Sequence, residues 1–85
     1  MTTITDRAAI EALIDSLMGH RAIISYVDTY RPELPTITDT VVDGDEIDGL
    51  TDYDVVDLGS VVVIRGTQSY SFTGSVDIIT ITIIR

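Results

Sequence analysis

The C-terminal stretch Ser75 to Arg85 is apolar on both sides of any strand it forms. Side chains alternate across a strand, so Val76, Ile78 and Ile84 project one way with Thr80 and Thr82, while Ile79, Ile81 and Ile83 project the other. An antiparallel strand with one face in water alternates apolar and polar residues, whereas a strand apolar on both sides has to be covered twice. The core covers one side. A helix, a loop or another subunit covers the second. Residues 78–84 combine high β-propensity with no charge and no proline, a combination that aggregates when left as a free edge. Ile79, Ile81 and Ile83 are therefore the apolar candidates for an interaction surface, with the chain's own helix or a second copy as the cover.

One segment has helical period. Over Asp6 to Met18, Ile10, Leu13, Ile14 and Leu17 share one side and Arg7, Glu11 and Asp15 the other, the stripe of a helix lying on a core. Thr5 or Asp6 can cap its first turn, and Gly19 can end it through a left-handed residue. Beyond Gly19 the period falls to two, and β-branched and aromatic residues predict strands over 21–28, 36–42, 53–57, 60–65, 68–73 and 75–84. The Gln68 to Thr73 strand places Tyr70 and Phe72 on one face, and Gly74 turns the chain. The breaks are Tyr30-Arg31-Pro32 with Pro35, a loop from Gly44 to Asp52, and Leu58-Gly59. The expectation is a single α+β domain over 1–85, mostly β, with the N-terminal helix packed on a five- or six-stranded, mainly antiparallel sheet or small barrel. A chain this short buries only about 60–65% of its unfolded surface, so its stability is thin.

Between Asp39 and Asp57 there are eight acidic residues and no basic one, and the chain has neither lysine nor cysteine. Five arginines against fourteen carboxylates leave a net charge of −9. Such a surface repels phosphate and anionic lipid, which disfavours nucleic-acid and membrane partners. Screening at physiological salt acts over about 8 Å, so clustered carboxylates still feel each other and lower salt should destabilise the fold. The composition suits an environment of high ionic strength, as in marine or halophilic hosts and their viruses. Without cysteine there is no disulfide, no thiolate nucleophile and no zinc site of the usual kind, and His20 is the single histidine. No apolar run approaches the roughly 20 residues of a membrane span, and no basic start and apolar core mark a signal peptide, so a soluble protein is expected.

Asp43, Asp45, Asp48, Asp52 and Asp54 invite a calcium reading, but an EF-hand begun at Asp43 would need an oxygen ligand and then glycine where Ile47 and Asp48 stand. A solvated acidic face is the stronger reading, with no metal or cofactor expected. Mimicry of nucleic acid is another. Asp43 with Asp45, Glu46 with Asp48 and Asp52 with Asp54 are spaced two apart, which in extended chain sets same-side carboxylates about 6.5 Å apart, near phosphate spacing. Catalysis has little footing: His20 lies in no nucleophile motif, and Gly44 and Gly49 sit among carboxylates that would repel a phosphate. No small-molecule substrate is expected.

Leu17-Met18-Gly19-His20-Arg21, a strand from Ala22 to Asp28, and then Leu58 to Gly66 with its Ile64-Arg65-Gly66 resemble the frame of the Sm-like proteins. That resemblance implies a small bent five-stranded barrel that assembles through strand edges, with Arg65 and Gly66 as candidate RNA-loop residues. A protomer of charge −9 repeated around a ring is poorly suited to RNA. The leading expectation is a non-enzymatic structural protein, such as a small virion component, that self-assembles or decorates a larger protein scaffold. An acidic inhibitor of a basic nuclease or defence complex is the alternative, and an Sm-like ring the second.

Overall fold

The computed structural model describes residues 2–28, 33, 35–48, 50, 52–69 and 76–85. Asp6 has extended backbone, and its carboxylate accepts the Ala9 N–H at 3.2 Å, satisfying one donor that a first helical turn leaves free. From this cap, helix α1 runs Arg7–Ser16. It ends earlier than the apolar stripe suggests, because Leu17 leaves helical geometry while its N–H still reaches the Ile14 carbonyl at 3.0 Å. Gly19, at φ +82°, then turns the chain into the sheet.

The strands are β1 (Thr2–Ile4), β2 (Arg21–Asp28), β3 (Thr36–Val41), β4 (Asp52–Asp57), β5 (Val61–Ser69) and β6 (Val76–Ile84), with a short helix α2 (Asp45–Asp48) between β3 and β4. They form one open sheet in the order β1-β4-β5-β6-β2-β3, with every neighbour antiparallel. The expected class, α+β and mostly β with a helix on a mainly antiparallel sheet, is what the chain adopts. The sheet has six strands and does not close into a barrel.

Three elements differ from the sequence expectation. The strands expected at 60–65 and 68–73 are continuous as β5 up to Ser69, because Gly66 acts inside the strand and does not break it. A Cβ there would stand 2.8 Å from the Tyr53 Cβ and 3.1 Å from the Leu50 Cδ1, so the missing side chain lets both residues pack against the strand. The loop expected from Gly44 to Asp52 contains α2, whose Ile47 is buried. β1 is three residues long and too short for its period to show. Tyr70, Phe72 and Gly74 lie outside the described residues. Arg65 and Gly66, which the Sm-like resemblance would place in a loop, stand mid-strand, paired with Asp54 and Tyr53 on β4 and with Thr80 and Ile79 on β6.

The central position of β6, between β5 and β2, pairs both of its edges, so the strand is not the free edge that its composition would make hazardous. On the side facing α1, Ile79, Ile81 and Ile83 pack with Ala22, Ile24, Val55, Val62 and Ile64 of the neighbouring strands and with Ile10 and Leu17 of the helix segment. Ile64, Ile83, Val55 and Val62 have no exposed surface. Each such side chain contributes about 1.5–3 kcal/mol relative to leaving it in water.

Candidate functional site

Antiparallel partners share a face, so the register fixes what the other side of the sheet presents. Across its middle run Val56 of β4, Val63 of β5, Thr82 of β6 and Ile23 of β2, with Thr3 and Asp39 at the two edges. The row toward one end holds Val61, Ile84, Arg21 and Val41. Leu58, whose N–H donates to the Val61 carbonyl at 2.9 Å, continues that row past β4. Toward the other end lie Asp54, Arg65, Thr80, Ser25 and Ile37, and then Asp52, Thr67, Ile78 and Val27. Among the described residues no helix or second sheet lies over this face.

Its centre is half-buried, and Ile23, Val56, Val61, Val63, Ile78 and Ile84 retain partial exposure. Three large hydrophobics of the same face are more exposed still: Ile37 at 67%, Val41 at 53% and Leu58 at 46%. A contiguous apolar surface of this kind marks an interaction site more often than a solvated one. Among the described residues the charges on it are Arg21, Arg65, Asp39, Asp52 and Asp54, two arginines against three aspartates, so it is nearly neutral in a chain that carries −9. Arg21 grips Asp39 through Nε at 3.1 Å and through a terminal nitrogen at 2.6 Å. That hydrogen bonding holds the Asp39 carboxyl below its ordinary pKa and raises that of Arg21.

The sequence-derived candidates fall in three places. Ile79, Ile81 and Ile83 are core residues beneath α1, at 3%, 2% and 0% exposure, so the surface of β6 that remains available is Ile78, Thr80, Thr82 and Ile84. Asp52 and Asp54 are on the open face, beside a shallow hollow shared with Arg65, Thr67 and Ile78. Asp43 and Asp48 are on the helix side, around a second hollow lined also by Glu11, Asp15 and Met18. Asp45 belongs to α2, and its side chain lies outside the described residues. The carboxylates therefore do not gather into one acidic surface. Among the described residues no three His, Asp or Glu side chains stand close enough to hold a metal ion.

His20 is half-buried, and its Nδ1 lies 3.2 Å from the Ile84 carbonyl, which can only accept, so Nδ1 donates and ties the helix exit to the end of β6. The open-face residues that the sequence reading passed over have a signal of their own. Val61-Val62-Val63-Ile64 is as two-faced as the C-terminal strand, and an adjacent pair of two-faced strands leaves an apolar patch wherever only one side is covered. No helix of the described residues is long and apolar enough to cross a membrane. No family model, curated protein or solved structure matches the chain.

Proposed function

We propose that the protein is a non-enzymatic assembly subunit that buries the open face of its sheet against a second copy of itself. The carrying observation is the pairing of apolar surface with charge neutrality on that face alone. Two molecules of charge −9 repel wherever their acidic surfaces approach, and a nearly neutral apolar patch is where identical copies can meet with least repulsion. Face-to-face stacking of two antiparallel sheets, about 10 Å apart, is the ordinary geometry for such a contact. A small virion component that self-assembles or decorates a larger scaffold requires the same property.

The test is the solution mass by light scattering across a concentration series at low and high salt, for the wild type and for Val63→Lys. Val63 lies at the centre of the open face, and lysine there places a charge in the interface while leaving the α1 side of the sheet intact. The expected result is a discrete oligomer for the wild type and a smaller folded species for Val63→Lys, with the same circular dichroism. A wild type that stays monomeric at the highest concentration overturns the reading, as does an oligomer indifferent to Val63→Lys. A monomer that binds a larger scaffold protein through this face would replace the second copy with that partner.

A further inference from the structure

The two edges of the sheet are unlike. β1 is three residues long, whereas β3 offers Thr36–Val41. The Val42 N–H donates to the His20 carbonyl at 2.9 Å, in register with the β2–β3 ladder. By antiparallel alternation, the backbone groups of Thr36, Thr38 and Thr40 point to β2, and those of Ile37, Asp39 and Val41 point away from the sheet. Proteins blunt such edges with lysine, internal proline, bulges or short strands. This edge has no lysine or proline between Thr36 and Val41, and its one charged residue is Asp39, exposed and paired with Arg21 of β2.

We infer that β3 is a self-pairing strand, which joins two copies antiparallel about a two-fold axis through Thr38 and makes one continuous sheet across both. Parity selects that register. Outward groups have to meet outward groups, which leaves axes through Ile37, Thr38, Asp39 or Thr40, and only some of these align the strands well. An axis through Asp39 sets two aspartates opposite each other, and like charges directly opposed are destabilising. Axes through Ile37 or Thr40 shorten the overlap. The axis through Thr38 pairs Ile37 with Asp39 twice, so both residues exchange backbone hydrogen bonds with their partners. It also opposes Val41 to Pro35, whose carbonyl can accept the Val41 N–H; because Pro35 has no N–H to return to the Val41 carbonyl, the ladder ends there.

The side chains agree with that register. Thr38 meets its own copy, and Thr36 meets Thr40, a ladder of threonines on the face that carries α1. Ile37 and Asp39 meet on the open face, so the apolar surface of one copy continues into the next. This contact rests on the β3 backbone groups that have no strand partner among the described residues, and the stacking proposed above rests on the apolar face, so each can fail alone. Together they give every subunit two different self-contacts.

Because the chain has no cysteine, single-cysteine variants report the register without background. The partners at the axis form a non-hydrogen-bonded pair, with Cα atoms about 4.5 Å apart, within disulfide reach. Under mild oxidation Thr38→Cys should form a covalent dimer severalfold faster than Thr36→Cys or Thr40→Cys alone. A mixture of Thr36→Cys and Thr40→Cys should cross-link as a heterodimer. Ile37→Pro, which removes an outward donor and no bond to β2, should lower the solution mass with unchanged circular dichroism. Equal cross-linking at all three positions, or none at Thr38, overturns the inference. Cross-linking of Thr38→Cys that persists in the Val63→Lys background shows the edge contact standing without the face contact.

Discussion

Gly66 of β5 stands directly across the ladder from Tyr53 of β4, and the strand can pass there only because position 66 has no side chain. The methyl group of Gly66→Ala would meet the Tyr53 Cβ, the Leu50 side chain and the Asp52 carbonyl, of which the carbonyl is backbone and cannot rotate away. We expect Gly66→Ala to cost about 1–3 kcal/mol, as overpacking does. Chemical denaturation measures it. Loss of stability below a few tenths of a kcal/mol would mean that β4 and β5 are less closely paired than described.

Asp57 accepts a hydrogen bond from Arg85 at 2.5 Å and another from the Gly59 N–H at 2.9 Å, which fastens the residue after β6 to the β4–β5 turn. Both bonds hold the Asp57 carboxyl below its ordinary pKa, the Arg85 contact most of all. A depressed folded-state value means that folding favours the ionised form. The stabilisation is complete above the unfolded value of about 3.9 and is lost as pH falls through the lower folded value. A double-mutant cycle of Asp57→Asn and Arg85→Gln should therefore show coupling at neutral pH that disappears in acid. Equal coupling at both would remove ionisation of Asp57 as its source.

Salt should stabilise the fold. A charge of −9 on so small a domain is a repulsive field, and the screening length shrinks from about 30 Å at 0.01 M salt to about 3 Å at 1 M. Of the ion pairs among the described residues that salt would weaken, Arg7 with Glu11 and Arg21 with Asp39 are exposed and contribute little, and Arg85 with Asp57 is a single pair set against the field of the whole domain. Thermal denaturation across that range should show a rising midpoint. A flat or falling midpoint would mean that attractive pairs outweigh the net repulsion.

The helix, its Asp6 cap and most of the strands were legible because each has a period, a cap residue or a breaker that acts locally. The continuity of β5 from Val61 to Ser69, where the sequence suggests strands at 60–65 and 68–73, has no local signal, because the role of Gly66 depends on Tyr53 and Leu50 lying against it once β4 is in place. The face problem has the same origin. Alternation separates Ile79, Ile81 and Ile83 from Ile78 and Ile84, but which set lies under α1 depends on the order of six strands, and the turns do not encode it. The acidic residues read as one segment in sequence, and the alternation of β4 together with the turn into α2 divides them between two sides of the sheet.

Ile81 and Thr82, adjacent on β6, give the sharpest separation of fold from assembly. Ile81 lies between Ile24 and Ile64 in the core at 2% exposure, while Thr82 lies between Ile23 and Val63 on the open face. Ile81→Asp buries a carboxylate with no partner and removes core volume, so we expect a loss above about 3 kcal/mol, enough to unfold a domain of marginal stability. Thr82→Asp leaves its carboxylate in water in the isolated subunit and strands it only when the face is covered. It should fold, melt near the wild type and shift the solution mass toward monomer. If Thr82→Asp unfolds the chain as Ile81→Asp does, the face it occupies is already covered within the subunit, and the assembly reading loses its surface.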